Sequence, residues 1–189
     1  MPGIVISNPL LAGNFWEYQL APMIGLGDEQ LAFTGKIQRN FRVNKSFINR
    51  ISAGVGANYF DEGNYSIERK IDHEGDWHSE KEHYSYFRIK PFIEFNFKPL
   101  QINSSVSQKL TLARNIFQEK AFDNSKTVGI NILSYEVTDK QKLNPQTLLI
   151  QVQQNNRNAK LTLTFEASHL YKPGKYLSAR FFAGFVHND

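Results

Sequence analysis

The sequence predicts an all-β protein, an antiparallel up-and-down transmembrane β-barrel, present as a partial barrel of about nine to ten strands. Three observations predict it. Apolar residues recur at every second position almost from end to end, the mark of strands with one apolar and one polar face. In "FRIKPFIEFNFK" (87–98), Phe87, Ile89, Pro91, Ile93, Phe95 and Phe97 share one parity, and Arg88, Lys90, Glu94, Asn96 and Lys98 the other. Only Phe92 is out of place. The runs are also long, many reaching twelve residues, where a soluble strand has about 5–6 and a membrane strand needs about 9–11. Finally, short and long connections alternate, as with the tight turns and longer external loops of outer-membrane barrels.

The elements follow in order. A short extra strand fits near residues 3–12. In "FWEYQLAPMIGL" (15–26), Trp16, Tyr18, Leu20, Pro22, Ile24 and Leu26 are apolar while Glu17 and Gln19 lie between them, and "GDEQ" (27–30) turns the chain. Residues 31–43 set Leu31, Phe33, Ile37, Phe41 and Val43 against Thr34, Lys36, Gln38, Asn40 and Arg42, with Arg39 breaking the rule. After the turn 44–46, residues 47–60 alternate again around a small-residue run, Ala53, Gly54, Gly56 and Ala57, which reads as close packing in a sheet wall. The stretch 61–83 is expected to be a long polar loop. A strand near 104–117 and a polar loop at 118–126 come next. The following strand changes parity between Ile132 and Leu133, which predicts a bulge there. "TLLIQVQ", "AKLTLTFEASHLY" and "YLSARFFAGFV" complete the set. Short turns at 44–46, 99–103 and 172–175 fall on one side, and 61–83 and 118–126 on the other. Aromatic residues gather near strand ends, where amphipathic rings suit the boundary between hydrocarbon and headgroups.

Alternation alone also fits a soluble lipocalin-like barrel that binds a small apolar ligand, with the apolar face turned inward. Facing separates the two. A membrane barrel puts Leu31, Phe33, Ile37, Phe87, Ile89, Ile93, Phe95, Leu161, Leu163, Phe165, Phe181 and Phe185 on its outer wall, with Arg42, Arg50, Arg88, Lys90, Glu94 and Arg180 inside.

Composition bounds the rest. The net charge is +4 and the pI about 9.2, but no basic run concentrates it, so nucleic acid is not an expected partner. Cysteine is absent, which excludes disulfides and thiolate metal sites. Mean hydropathy is −0.44, and no apolar run approaches the roughly 18 residues of a membrane helix. The opening "MPGIVISNPLLAGNFWEY" lacks the pattern of a secretory signal. With an odd strand tally and no terminal aromatic, this leads to the expectation that residues 1–189 form a single barrel segment of a longer chain.

No catalytic, cofactor-binding or metal residue is assigned from the sequence, and no cofactor is expected. The one concentrated titratable cluster is "DHEGDWHSEKEH", with His73, Glu74, Asp76, His78, Glu80, Glu82 and His83. Its spacing matches no metal site, and a solvated loop accounts for it. No serine sits in a G-x-S-x-G elbow.

Four stretches, "NPLLAGNFWEYQLAPMIG", "HYSYFRIKPFIEFNFK", "KLNPQTLLIQVQQNN" and "GKYLSARFFAGFV", carry a resemblance over roughly residues 8–187. The chain resembles the C-terminal outer-membrane β-barrel region of large aminopeptidase-N-like (gluzincin) metallopeptidase-related proteins of Gram-negative bacteria. The resemblance implies an anchor or scaffold in the outer membrane. Its partners would be the lipid bilayer and an N-terminal peptidase domain of the same chain. The zinc motif of that domain, H-E-x-x-H, does not occur here, so no zinc ligand or catalytic residue is carried over.

Overall fold

A computed structural model describes residues 3–8, 15–24, 31–44, 47–70, 77–99, 104–121, 124–141, 143–172 and 175–188. Among them the fold is all β. Its ten strands are β1 (Ile6–Ser7), β2 (Trp16–Ile24), β3 (Leu31–Arg42), β4 (Ile48–Lys70), β5 (Trp77–Phe97), β6 (Val106–Ala121), β7 (Asn124–Asp139), β8 (Gln146–Gln154), β9 (Asn158–Lys172) and β10 (Lys175–Asn188). They form one sheet in chain order, each strand antiparallel to the next. The up-and-down topology follows from the local sequence, because every connection is short enough to be a hairpin between neighbours.

The sheet is not closed: among the described residues β10 pairs only with β9, and β1 only with β2. One end carries the connections after β2, β4, β6 and β8; the other carries those after β1, β3, β5, β7 and β9.

Register converts the sequence pattern into two faces. Asn40 lies opposite Ser52, Ser52 opposite Glu94, Glu94 opposite Thr111, and Thr111 opposite Ser134. Directly opposed residues share a face, so this row runs along the polar side of five strands. Ile37, Val55 and Pro91 form a matching row on the apolar side.

Ten described residues are buried: Ala21, Ala32, Gln38, Asn40, Ser52, Phe92, Thr111, Ile132, Thr162 and Thr164. All ten lie on the polar face. A curved sheet crowds the side chains of its inner face and spreads those of its outer face, so the polar face is the concave one.

Three expectations are corrected. The stretch 61–83 is not simply a loop, since β4 continues to Lys70 and β5 begins at Trp77, paired through Lys70↔Trp77. β3 pairs with β4 only as far as Phe60, and β6 meets β5 only from Tyr84 onward. The hairpin therefore projects from the sheet as a two-stranded ribbon, with a bulge between Asp61 and Gly63 at its base. Likewise 118–126 is mostly strand, with β6 ending at Ala121 and β7 starting at Asn124.

No bulge lies between Ile132 and Leu133, because β6 and β7 pair without a register shift from Val106↔Asp139 to Ala121↔Asn124. The parity change has another cause: the concave face turns apolar there. Ile132, Ile130 and Val128 point inward opposite Ala113, Asn115 and Phe117.

Phe92, the intruder in its strand, belongs to the same inner patch. It is buried opposite Gly54. A Cβ on Gly54 would collide with the carbonyl oxygen of Ile37 and stand 2.8 Å from Phe92 Cζ. The glycine thus leaves the space the ring fills, a packing device of strongly curved sheets.

Candidate functional site

The convex face is the largest chemical feature of the molecule. Trp16, Tyr18, Leu20 and Ile24 on β2, Leu31, Ile37 and Phe41 on β3, and Ile93 on β5 are exposed on it. So are Leu112, Leu133, Val152, Leu161, Leu163, Phe181 and Phe185 on the strands that follow. Phe33, Phe87, Ile89, Phe95 and Phe165 are half-buried beside them. All twelve residues expected on an outer wall are therefore on this face.

Dimensions follow from strand geometry. Phe87 to Phe97 spans ten steps of about 3.4 Å, which at a tilt near 40° rises about 26 Å, close to the ≈25 Å apolar band of membrane barrels. Nine long strands spaced about 4.8 Å apart make the patch more than about 1,000 Å², whereas the largest patch on a soluble monomer covers about 300–600 Å². The total accessible area, 14119 Å², exceeds the about 9,300 Å² of a compact globule of 21.8 kDa, as an open sheet uncovered on both faces requires.

Aromatic residues border this band. At the short-turn end the rings of Phe47 and Phe97 stack at 5.8 Å, and Trp16 and Phe41 flank Arg39. The Arg39 guanidinium lies 5.5 Å from the Trp16 ring and 5.0 Å from that of Phe41. This arginine broke the alternation in the sequence; it is held by cation–π contact at the margin of the apolar face. Toward the opposite end Phe33 and Tyr59 stack at 5.9 Å. Arg114, Asn131 and Gln154 form a polar row at the level of the β8–β9 turn, where the band stops on that side of the sheet. Gly129, on the next outward position, leaves room for the Arg114 guanidinium.

The concave face is wired by hydrogen bonds. Gln38 Nε2 donates to Glu17 Oε2 at 2.7 Å and Asn40 Nδ2 donates to Glu17 Oε1. Ser52 Oγ donates to Asn40 Oδ1 at 2.6 Å. This cluster ties β2, β3 and β4 together through side chains that are almost wholly buried at Gln38, Asn40 and Ser52. Farther round, Lys109 Nζ pairs with Glu136 at 3.0 Å and Arg180 Nε with Glu166 at 3.0 Å. Lys36 Nζ sits 4.8 Å above the Phe92 ring.

Arg42, Arg50, Arg88, Lys90, Glu94 and Arg180 all lie on this face, as the alternation predicts. Among the described residues three buried polar atoms here lack a hydrogen-bond partner: Gln38 Oε1, Asn96 Nδ2 and Asn115 Oδ1.

Protein-family models, curated proteins and solved structures were compared with the chain, and none matches. The geometry therefore carries the functional reading by itself.

Of the titratable cluster, His73, Glu74 and Asp76 lie outside the described residues. The backbone of His78, Glu80, Glu82 and His83 belongs to β5, where the first three occupy alternate positions and His83 the opposite parity. Among the described residues no group of three or more metal-ligating side chains is brought together. The Glu17–Gln38–Asn40–Ser52 cluster was not foreseen. Its only trace in the sequence is that all four residues occupy polar-face positions.

Proposed function

We propose that the sheet is part of the wall of an outer-membrane β-barrel that anchors or scaffolds a larger assembly in a bacterial outer membrane. The observation that carries this reading is the facing. Among the described residues every buried one lies on the polar concave side, and the apolar convex side is exposed or half-exposed. Soluble folds bury the opposite face, because hiding apolar area from water is worth about 25 cal/mol per Å². In a bilayer the same convex face needs no cover, and the concave face becomes a polar interior. The unpartnered atoms of Gln38, Asn96 and Asn115 suit an interior that holds water, since buried polar atoms need partners.

The facing weighs against a lipocalin-like binder, whose concave face must be apolar to enclose its ligand. Within the barrel reading, further strands cover the free edges of β1 and β10, because an open edge in hydrocarbon strands backbone groups at several kcal/mol each. An aminopeptidase-like domain attached to such a barrel is the assembly that the family resemblance suggests. Any zinc chemistry would reside in that domain.

The test is vesicle flotation. Chain refolded from urea in the presence of phosphatidylcholine vesicles should float with them and show β-sheet circular dichroism. A chain that stays at the bottom of the gradient as a folded, detergent-free monomer would overturn the proposal.

A further inference from the structure

The short-turn end of the concave face carries an arrangement that neither folding nor membrane anchoring calls for. Arg42 and Arg50 are directly opposed across β3 and β4. Directly opposed like charges destabilise a sheet. Among the described residues neither guanidinium has an ion pair that would offset this. Arg50 faces Asn96, and Glu94 lies one inward position farther along β5. Asn96 Nδ2 is buried with no acceptor. The next residue of the row, Lys109, is already neutralised by Glu136.

Arg42, Arg50 and Asn96 line an open cavity of about 810 Å³, together with Lys140, Ser105 and Ser107. Among the described residues lining it, none is acidic. It therefore gathers two guanidiniums, an ammonium and an amide with an unpartnered N–H, while the Ser105 hydroxyl is donated to the Asp139 carboxylate and that of Ser107 to the Thr138 carbonyl.

We infer that this cavity is a binding site for a soluble phosphomonoester-type anion, held by the forks of Arg42 and Arg50. Two adjacent guanidiniums match the tetrahedral oxygens of a phosphate, and paired planar forks bind it more selectively than single ammonium charges. The anion would supply the charge the arginine pair lacks and an acceptor for Asn96. The inference goes beyond the anchoring role and does not depend on it, because the cavity opens on the concave face.

The test is calorimetric titration of the full chain in detergent micelles with inorganic phosphate, at constant ionic strength set by chloride. Saturable binding is expected. Arg42→Gln and Arg50→Gln should each weaken it at least tenfold, while Lys126→Gln, at the far end of the concave face, should change it less than twofold. A second readout separates function from folding. Without phosphate, Arg50→Gln should raise the thermal midpoint by relieving the like-charge pair, and added phosphate should raise it no further. Arg50→Lys keeps the charge without the fork and should bind with intermediate strength. Phosphate heats indistinguishable from chloride, or unchanged binding in both Gln variants, would overturn the site. A short-chain phosphatidic acid binding more than tenfold tighter than inorganic phosphate would overturn its assignment to a soluble anion.

Discussion

Glu17 holds the first long strand to the sheet, and replacing it tests whether the concave face is a bonded structure or merely a polar one. Its two carboxylate oxygens accept from Gln38 Nε2 and Asn40 Nδ2. Both amides are only 6% exposed, so Glu17→Ala leaves two donors with little access to water. Gln38 Nε2 retains a poor bond to Asn40 Oδ1 at 3.3 Å. Hydrogen bonds to charged groups contribute about 1.5–3 kcal/mol each, and because Glu17 itself is half-exposed, water recovers part of that. The expected cost of Glu17→Ala is therefore about 2–4 kcal/mol. Glu17→Gln should cost only about 1 kcal/mol, because the free Gln38 Oε1 can accept from the new amide if Gln38 turns over. Ser52→Ala removes one neutral bond and should also cost about 1 kcal/mol. Combined with Glu17→Ala its effect should be non-additive, since both act through Asn40. Equilibrium urea unfolding of the protein refolded in micelles measures all four values. A Glu17→Ala variant within about 0.5 kcal/mol of the parent, the ordinary range of inert surface changes, would refute the reasoning. So would a Gln variant as damaged as the Ala variant.

Three other outcomes follow from the same geometry. Leu163→Arg, on the convex face, should cost about 2–4 kcal/mol of stability in lipid vesicles if it lies near the bilayer midplane. Phe182→Arg, opposite Thr164 and on the concave side of β10, should stay within about 0.5 kcal/mol by the same unfolding measurement. Gly54→Val should lose about 1–3 kcal/mol by overpacking against Ile37 and Phe92, with only part of the loss recovered in a Phe92→Ala background because the clash with the Ile37 carbonyl remains.

Much of the fold was legible because period two is a backbone property. Once Phe87, Ile89, Ile93 and Phe95 share a parity, any antiparallel pairing puts them on one face, and the short turns leave neighbours little choice of partner. Two of the three corrected expectations have a common root. At 61–83 and 118–126 polar composition predicts loops, yet a hairpin is held by backbone hydrogen bonds and tolerates charged side chains. The bulge predicted at Ile132 fails for another reason: the concave face holds an apolar patch with Phe92 in it. Arg39 breaks the pattern because Trp16 and Phe41 hold its guanidinium between them at the margin of the apolar face. The Glu17 cluster and the Arg42–Arg50 pair were beyond reach because they depend on register. Parity shows which residues share a face, but only the offset between strands shows which of them meet.

The central claim, that the convex face meets lipid, is tested most directly by residue-by-residue accessibility along β5. The chain has no cysteine, so single cysteines can be placed at 88 through 96 without background labelling. Spin labels at these positions in vesicle-refolded protein should alternate. Those at 89, 91, 93 and 95 should relax with oxygen, which dissolves in hydrocarbon, and those at 88, 90, 94 and 96 with a water-soluble nickel chelate. Position 92 should follow the even set despite being phenylalanine in the parent. Alternation of the opposite phase, or uniform accessibility to the chelate along the whole strand, would contradict the account.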